Sequence, residues 1–207
     1  MSNHRKMKII GIGANYYIAK NERLKNPEDL MIFTKPETSL ATGNTFQYPE
    51  CSKKVFYELE IVLRLNKELK NANETEAANS FDEVALGVDW TAKDLQLKAK
   101  DKGWPWVFAK GFDQAAFLSG WMPVTDFNDL NNLNLTFKVN GEVRQQGNTN
   151  QMIANYGKII AYTSKFMTLH PGDIIMTGTP PAPGEIFRGD HCEGFIDDQR
   201  YLDFDVV

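Results

Sequence analysis

Three observations predict a strand-rich α+β fold, mostly β, carried as a single domain over residues 1–207. The chain has 207 residues, within the roughly 200–250 that one domain with a sizeable core commonly reaches. Its 42% hydrophobic and 24% charged composition is that of a globular protein. Strand patterns outnumber helical ones, and their spacing is too irregular for repeating βαβ units. A mixed, mostly antiparallel architecture is therefore expected instead of a doubly wound sheet.

The elements follow in order. Lys8–Ala14 and Leu30–Thr34 read as short strands. The early Gly11-Ile12-Gly13 lacks the third glycine of a dinucleotide fingerprint and leads into Asn-Tyr-Tyr, so that reading is discarded. Val55–Leu65 is the clearest strand, and Val84–Val88 is another, running straight into Asp89. Asn73 with Glu76 forms a capping box opening a helix over Glu74–Asn79, and Thr91 with Asp94 predicts a second helix over Ala92–Lys100. Leu133, Leu135, Phe137 and Val139 alternate with polar residues up to Asn140-Gly141, a type I′ hairpin signal. Asn155–Leu169 carries apolar residues at helical spacing until Pro171 and Gly172, and Asp173–Gly178 and Tyr201–Val207 read as late strands.

Composition also narrows the partners. Net charge is −4 with no basic cluster, so neither nucleic acid nor a membrane surface is expected. Apolar stretches such as Ile61–Leu63 and Ile174–Met176 fall far short of the roughly 20 residues of a membrane helix. The N-terminus is too glycine-rich for a signal-peptide core, which predicts a cytoplasmic protein with Cys51 and Cys192 as reduced thiols. Two cysteines alone supply no zinc site.

Candidate chemistry begins in V-F-Y-E-L-E-I-V-L-R-L, Val55–Leu65. Tyr57, Leu59, Ile61, Leu63 and Leu65 form an apolar strand face, which puts Glu58 and Glu60 together on the other. Two like charges side by side repel; the pair is either a solvated outer face or two carboxylates aimed at a metal. Asp89, at a strand-to-helix junction, is either a third oxygen ligand or a cap. Lys110, in the apolar run Trp106–Phe112, is either an ordinary surface lysine or a buried functional one. Thr179 closes a strand entering a Gly/Pro-rich turn, where a threonine is commonly structural but its hydroxyl and nearby amides can bind an anion.

Taken together these segments resemble the fumarylacetoacetate hydrolase family from Ile9 to Val207. The matching blocks are Gly13-Ala-Asn-Tyr16, Phe33-Thr-Lys-Pro36 with Ser39, Tyr57-Glu-Leu-Glu60, Asp89-Trp-Thr-Ala-Lys-Asp-Leu-Gln96, Ala109-Lys-Gly-Phe112, Val139-Asn-Gly-Glu142 and Pro171-Gly-Asp-Ile-Ile-Met-Thr-Gly-Thr-Pro180. The resemblance is to the compact branch of acylpyruvases, oxaloacetate decarboxylases and 2-hydroxyhepta-2,4-diene-1,7-dioate isomerases. It implies a mixed β-roll with a few short helices, assembled as a homodimer. It also implies metal ligation by Glu58, Glu60 and Asp89, substrate contacts from Lys93, Gln96, Lys110, Gly178 and Thr179, and catalytic parts for Lys110, Thr179 and Glu22.

An oxygen-only ligand set suits Mg²⁺ or Mn²⁺, with Ca²⁺ a third candidate. A small 2-oxo acid chelates such an ion, and Lys110 would offset negative charge and stabilise the enolate. That enolate is common to hydrolysis, decarboxylation and keto–enol isomerisation. One departure separates them. The family hydrolases carry a water-activating histidine four positions after the asparagine of the N-Y block and a glutamate three later; here those positions hold Ala19 and Glu22. The histidines present, His4, His170 and His191, lie elsewhere. A general base contributes roughly 10²–10⁴-fold, so decarboxylation or isomerisation is expected ahead of C–C hydrolysis. Glu22, alone or with Lys20, is the candidate base should hydrolysis persist. A protein that binds a metal and a 2-oxo acid without turnover is the reading from another class. Two further differences are Lys93 in place of the usual arginine, and Pro180-Pro-Ala-Pro-Gly184 where relatives continue with glycines.

Overall fold

The structure is a computed structural model that describes residues 7–17 and 29–207. Among the described residues, strands of three sheets outweigh four short helices: α1 (Glu74–Ala78), α2 (Lys93–Lys102), α3 (Val107–Lys110) and α4 (Tyr156–Phe166). The largest sheet has eight strands. Its order is Met31–Lys35, Ile9–Gly13, Ile174–Met176, Leu59–Leu65, Phe81–Asp89, Ala116–Leu118 and Leu40–Thr42, with Met122–Pro123 also on Phe81–Asp89. A five-stranded sheet runs Glu142–Asn148, Asn134–Val139, His191–Ile196, Gln199–Val206 and Thr45–Phe46. Gly184–Ile186, Val55–Tyr57 and Thr91–Ala92 form a small third sheet. Most pairings are antiparallel, and Ile9–Gly13 with Ile174–Met176 is among the parallel ones. The expected mixed, mostly β architecture is thus the observed one.

Apolar burial holds the sheets together. One continuous core draws on all three, including Ile61, Leu86, Tyr57, Phe137 and Phe204. Trp90 stacks on Phe46 at 4.1 Å between centroids, and Phe117 meets Phe204 at 4.5 Å. Each such side chain contributes roughly 1.5–3 kcal/mol by leaving water.

Local sequence accounts for several elements. Asn73 Oδ1 accepts from Glu76 N–H at 2.9 Å, and Asn155 Oδ1 accepts from Lys158 N–H at 2.9 Å, capping α1 and α4. The hairpin turns on Asn140 and Gly141 at φ 53° and 80°, the positive pair that a type I′ turn needs. The second capping box is overturned. Thr91 belongs to a strand, the N-cap of α2 is Ala92 with no side-chain hydrogen bond, and the helix runs Lys93–Lys102. Asp94 instead accepts from Ser52 Oγ at 2.6 Å and from Lys53 N–H at 3.0 Å. A contact distant in sequence has claimed the cap.

Val55–Leu65 is two strands, not one. Val55–Tyr57 pairs with Thr91–Ala92 and Gly184–Ile186, whereas Leu59–Leu65 pairs with Phe81–Asp89 and Ile174–Met176. Glu58 sits at the switch between sheets.

Candidate active site

The switch at Glu58 assembles the acids. Leu59 pairs with Val88 and Glu60 with Gly87, and Asp89 N–H donates to the Glu58 carbonyl at 2.8 Å. The two strand ends thereby bring Glu58, Glu60 and Asp89 together, with one carboxylate oxygen of each within 4.8 Å of the others. Glu60 and Asp89 are each 1% exposed, so the wetted-face reading of Glu60 fails; Val62 beside it is buried too. Trp90, next along the chain, packs into the core instead.

Lys110 is fully buried, not a surface lysine. Its Nζ donates to Glu58 Oε2 and to Asp89 Oδ2, both at 2.8 Å, and stands 4.9 Å from the centre of the Phe33 ring. Burial alone would lower its pKa, but Asp89 and Glu58 outweigh that and raise it, so the ammonium stays charged. Glu60 moves the opposite way to an ordinary ion-paired acid. Burial, then Asp89 and Glu58, push its pKa well above the usual carboxylate value, against the pull of the Gly178 amide and Lys110.

A second ammonium completes the group. Lys35 is 3% exposed, its Nζ lies 2.6 Å from Asp89 Oδ1, and it also donates to the Lys110 carbonyl. The contact with Asp89 is an ion pair without hydrogen-bond alignment. Burial lowers the Lys35 pKa, with Asp89 opposing. Nothing in the Phe33-Thr-Lys-Pro36 block by itself marks Lys35 as part of the site.

Each carboxylate keeps one oxygen on the protein. Thr91 Oγ1 donates to Glu58 Oε1 at 2.9 Å, Gly178 N–H donates to Glu60 Oε2 at 2.8 Å, and Lys35 holds Asp89 Oδ1. Glu58 Oε2, Glu60 Oε1 and Asp89 Oδ2 remain for a ligand, two of them now on Lys110. Hard oxygens at this spacing fit a small divalent cation. Counted with every group ionised, the formal charges indicate what else fits. Three carboxylates and two ammonium groups sum to −1, a divalent ion makes +1, and a substrate carboxylate brings the site to zero.

The flanking residues are placed as follows. Lys93 Nζ donates to Gln96 Oε1 at 3.0 Å and lies 5.6 Å from the Phe56 ring centre; burial lowers its pKa while Glu58 raises it. Gln96 is 5% exposed. Gly178 has φ +99°, and a Cβ there would come within 2.7 Å of Asn15 Cβ, so the turn needs glycine. Asn15 secures that turn by donating to the Thr177 carbonyl at 2.9 Å. Thr179 Oγ1 donates to the Leu59 carbonyl at 2.9 Å and accepts from Gln145 Nε2 at 2.9 Å. Gln145, missed in the sequence, also accepts from Leu59 N–H at 3.1 Å and donates to the Pro180 carbonyl at 2.7 Å. Ala19, Lys20 and Glu22 lie outside the described residues, as does His4. His170 contacts Glu68, and His191 contacts Asp203 and Asp205, so neither approaches the acids. Cys51 and Cys192 are free thiols, exposed and buried respectively. No described helix is long and apolar enough to cross a membrane.

This carboxylate–lysine group and the glycine turn beside it occupy the blocks on which the sequence resemblance rests. Residues 8–206 match the fumarylacetoacetate (FAA) hydrolase C-terminal family. The chain belongs to the fumarylacetoacetate hydrolase family. A mitochondrial oxaloacetate tautomerase of Bos taurus is 36% identical over 200 residues, covering 96% of this chain and 90% of its own. An oxaloacetate tautomerase of Escherichia coli K12 is 37% identical over 188 residues, covering 88% and 85%. A solved fumarylpyruvate hydrolase from Pseudomonas aeruginosa, in complex with Mn²⁺ and pyruvate, matches with a TM-score of 0.89 at 28% identity, covering 98% of this chain and 90% of that one. Relatives named as tautomerases, hydrolases and isomerases share the fold, and the chain is an enzyme of this family.

Proposed function

We propose that the protein is a divalent-metal-dependent enzyme acting on a small 2-oxo acid through an enolate, by keto–enol isomerisation or decarboxylation. The observation that carries this is Lys110 held between Glu58 and Asp89 in a buried, oxygen-only site. Glu58, Glu60 and Asp89 would hold Mg²⁺ or Mn²⁺, which supplies Lewis-acid charge when bound. The chain's own residues do the rest. Lys110, catalytic in this reading, releases the carboxylates and offers its ammonium to the enolate oxygen, where fixed charge in a dry site acts strongly. Lys93 and Gln96 bind the substrate's far carboxylate, and Gly178 and Thr179 shape the turn against it. Oxaloacetate, with two carboxylates, suits the two cationic positions, and the tautomerase relatives support that choice.

Alanine at position 19 supports isomerisation over hydrolysis, because no histidine follows Asn15 at the distance that water activation uses. C–C hydrolysis of an acylpyruvate, with Glu22 as base, is the second reading, favoured by the fumarylpyruvate hydrolase likeness. The test is a pair of assays on the Mg²⁺-loaded protein. Enol-oxaloacetate conversion or pyruvate release without acetylpyruvate cleavage is the expected result; efficient acetylpyruvate cleavage would instead place a replacement base in the site.

The whole chain acts in this reading as one catalytic domain in a reducing, cytoplasmic setting, paired with a second copy. Leu97, Trp104, Val107 and Phe108 are 54%, 55%, 57% and 80% exposed on α2, α3 and their connection, apolar side chains that a second copy would cover. Sedimentation at the dimer mass is expected, and a monomer at micromolar concentration would refute the pairing.

A further inference from the structure

Asp89 meets two buried ammonium groups, one on each oxygen, and the two are not equivalent. Lys110 occupies two of the oxygens that the other protein contacts leave open, Glu58 Oε2 and Asp89 Oδ2. Lys35 takes the other oxygen, Oδ1, and its second partner is backbone, the carbonyl of Lys110. Lys35 is anchored at both ends. Its backbone closes the strand Met31–Lys35, in register with Ile9. Its head sits at the last carbonyl of α3, where a cation is favourable. Pro36 follows and packs on Gly111, where an added Cβ would come within 3.0 Å of the proline ring. The lysine therefore ties the sheet to the one-turn helix that carries Lys110.

Resting on the metal-dependent reading above, we propose that Lys35 is a positioning residue that makes Asp89 a one-oxygen ligand and keeps Lys110 in the site once its ammonium has left the carboxylates. Thr91 on Glu58 and the Gly178 amide on Glu60 do the same for their carboxylates. Three one-oxygen ligands leave coordination positions for substrate on a small six-coordinate ion such as Mg²⁺. Ca²⁺ takes more oxygens and readily uses both of one carboxylate. Lys35 thus sets the choice of ion without touching ion or substrate.

The test is isothermal titration calorimetry of Mg²⁺ and Ca²⁺ into the metal-stripped full chain, for wild type, Lys35→Met and Lys35→Arg. Loss of an outer partner of a metal ligand costs roughly 10–100-fold in affinity. Lys35→Met should therefore weaken Mg²⁺ at least about tenfold while Ca²⁺ changes little, because the freed Oδ1 can join it. Lys35→Arg, which keeps the charge, should recover most of the Mg²⁺ preference. Equal losses for both ions, or no loss, would overturn the proposal. Wild type that binds neither ion would refute the metal reading itself, a separate result. Should Lys35→Met not fold, a Mn²⁺-soaked wild-type crystal decides. Lys35 on Oδ1 with the ion on Oδ2 is expected, and an ion held by both Asp89 oxygens would contradict it.

Discussion

Two charged groups in this molecule have similar contact distances and opposite environments. Around Asp89, Glu58 and Asp89 meet two lysines at 2.6–2.8 Å with Glu60 beside them, and Lys35, Glu60, Asp89 and Lys110 are all buried. On the strands His191–Ile196 and Gln199–Val206, His191, Glu193, Arg200, Asp203 and Asp205 meet at 2.8–3.3 Å, with side chains 18–64% exposed. The surface group sits in water, where such pairs contribute about 0–1 kcal/mol. The buried group carries a desolvation cost that attraction only partly offsets, and apolar residues of similar size would commonly be as stable or more so. Contact distance therefore does not separate a site from a surface; the cost of assembling the charges does. A fold that tolerates that cost at one place points to chemistry there.

The largest expected effect breaks the buried group at a ligand. Glu60→Ala should lower oxaloacetate turnover at least about 10³-fold, the several kcal/mol of charge stabilisation an ion supplies. Asp205→Ala should stay within about twofold of wild type, and steady-state kinetics of both variants checks the contrast. Next is Lys110→Met. Its kcat should fall roughly 10²–10³-fold, as for loss of one charge-stabilising donor. Chemical denaturation should show a loss of about 3–5 kcal/mol, because Glu58 loses its cation and Asp89 one of its two. Arg200→Met, its surface counterpart, should leave the denaturation midpoint close to that of wild type.

Smaller effects come from pH. The raised pKa of Glu60 means that the folded state disfavours its charge. The cost is absent below the ordinary glutamate value and grows as pH rises through that value towards the raised one. Metal-stripped protein should lose stability over that window, and Glu60→Gln should remove the loss; saturating Mg²⁺ should reverse the ranking of the two proteins. Denaturation at pH 5 and pH 8, with and without Mg²⁺, reads this out. The smallest effect is at His191, whose pKa is raised by its hydrogen bond to Asp205. That contribution is present below the ordinary histidine value and lost as pH rises through the raised one. Asp205→Asn should reduce it, with Asp203 still facing the ring, and with under about 1 kcal/mol at stake and less in high salt.

The same contrast explains what the sequence revealed. Features governed by neighbours along the chain were legible: the Asn155 cap, the Asn140-Gly141 turn, and the apolar face Tyr57–Leu65. The acids were legible as a pair because a strand spacing implied it, although the break at Glu58, which turns the chain from one sheet to another, left no local mark. Thr91 was misread as a cap because its hydroxyl is taken by Glu58, 33 positions away. Lys35 had no signal beyond its block, since only the docking of α3 on the strand end gives it partners. Gln145 was hidden by a bulge. The register shift between Phe137 and Lys138 turns Gln145 inward and leaves Val143 49% exposed, the reverse of what alternation of apolar and polar residues would suggest.

The most direct measurement is the rate at which enol-oxaloacetate loses its absorbance with metal-stripped protein, followed through a Mg²⁺ titration to stoichiometry. A rate near background is expected without metal, rising to saturation at about one ion per chain, with no rise in Glu60→Ala. A full rate in the stripped protein, or a rise that Glu60→Ala shares, would contradict it.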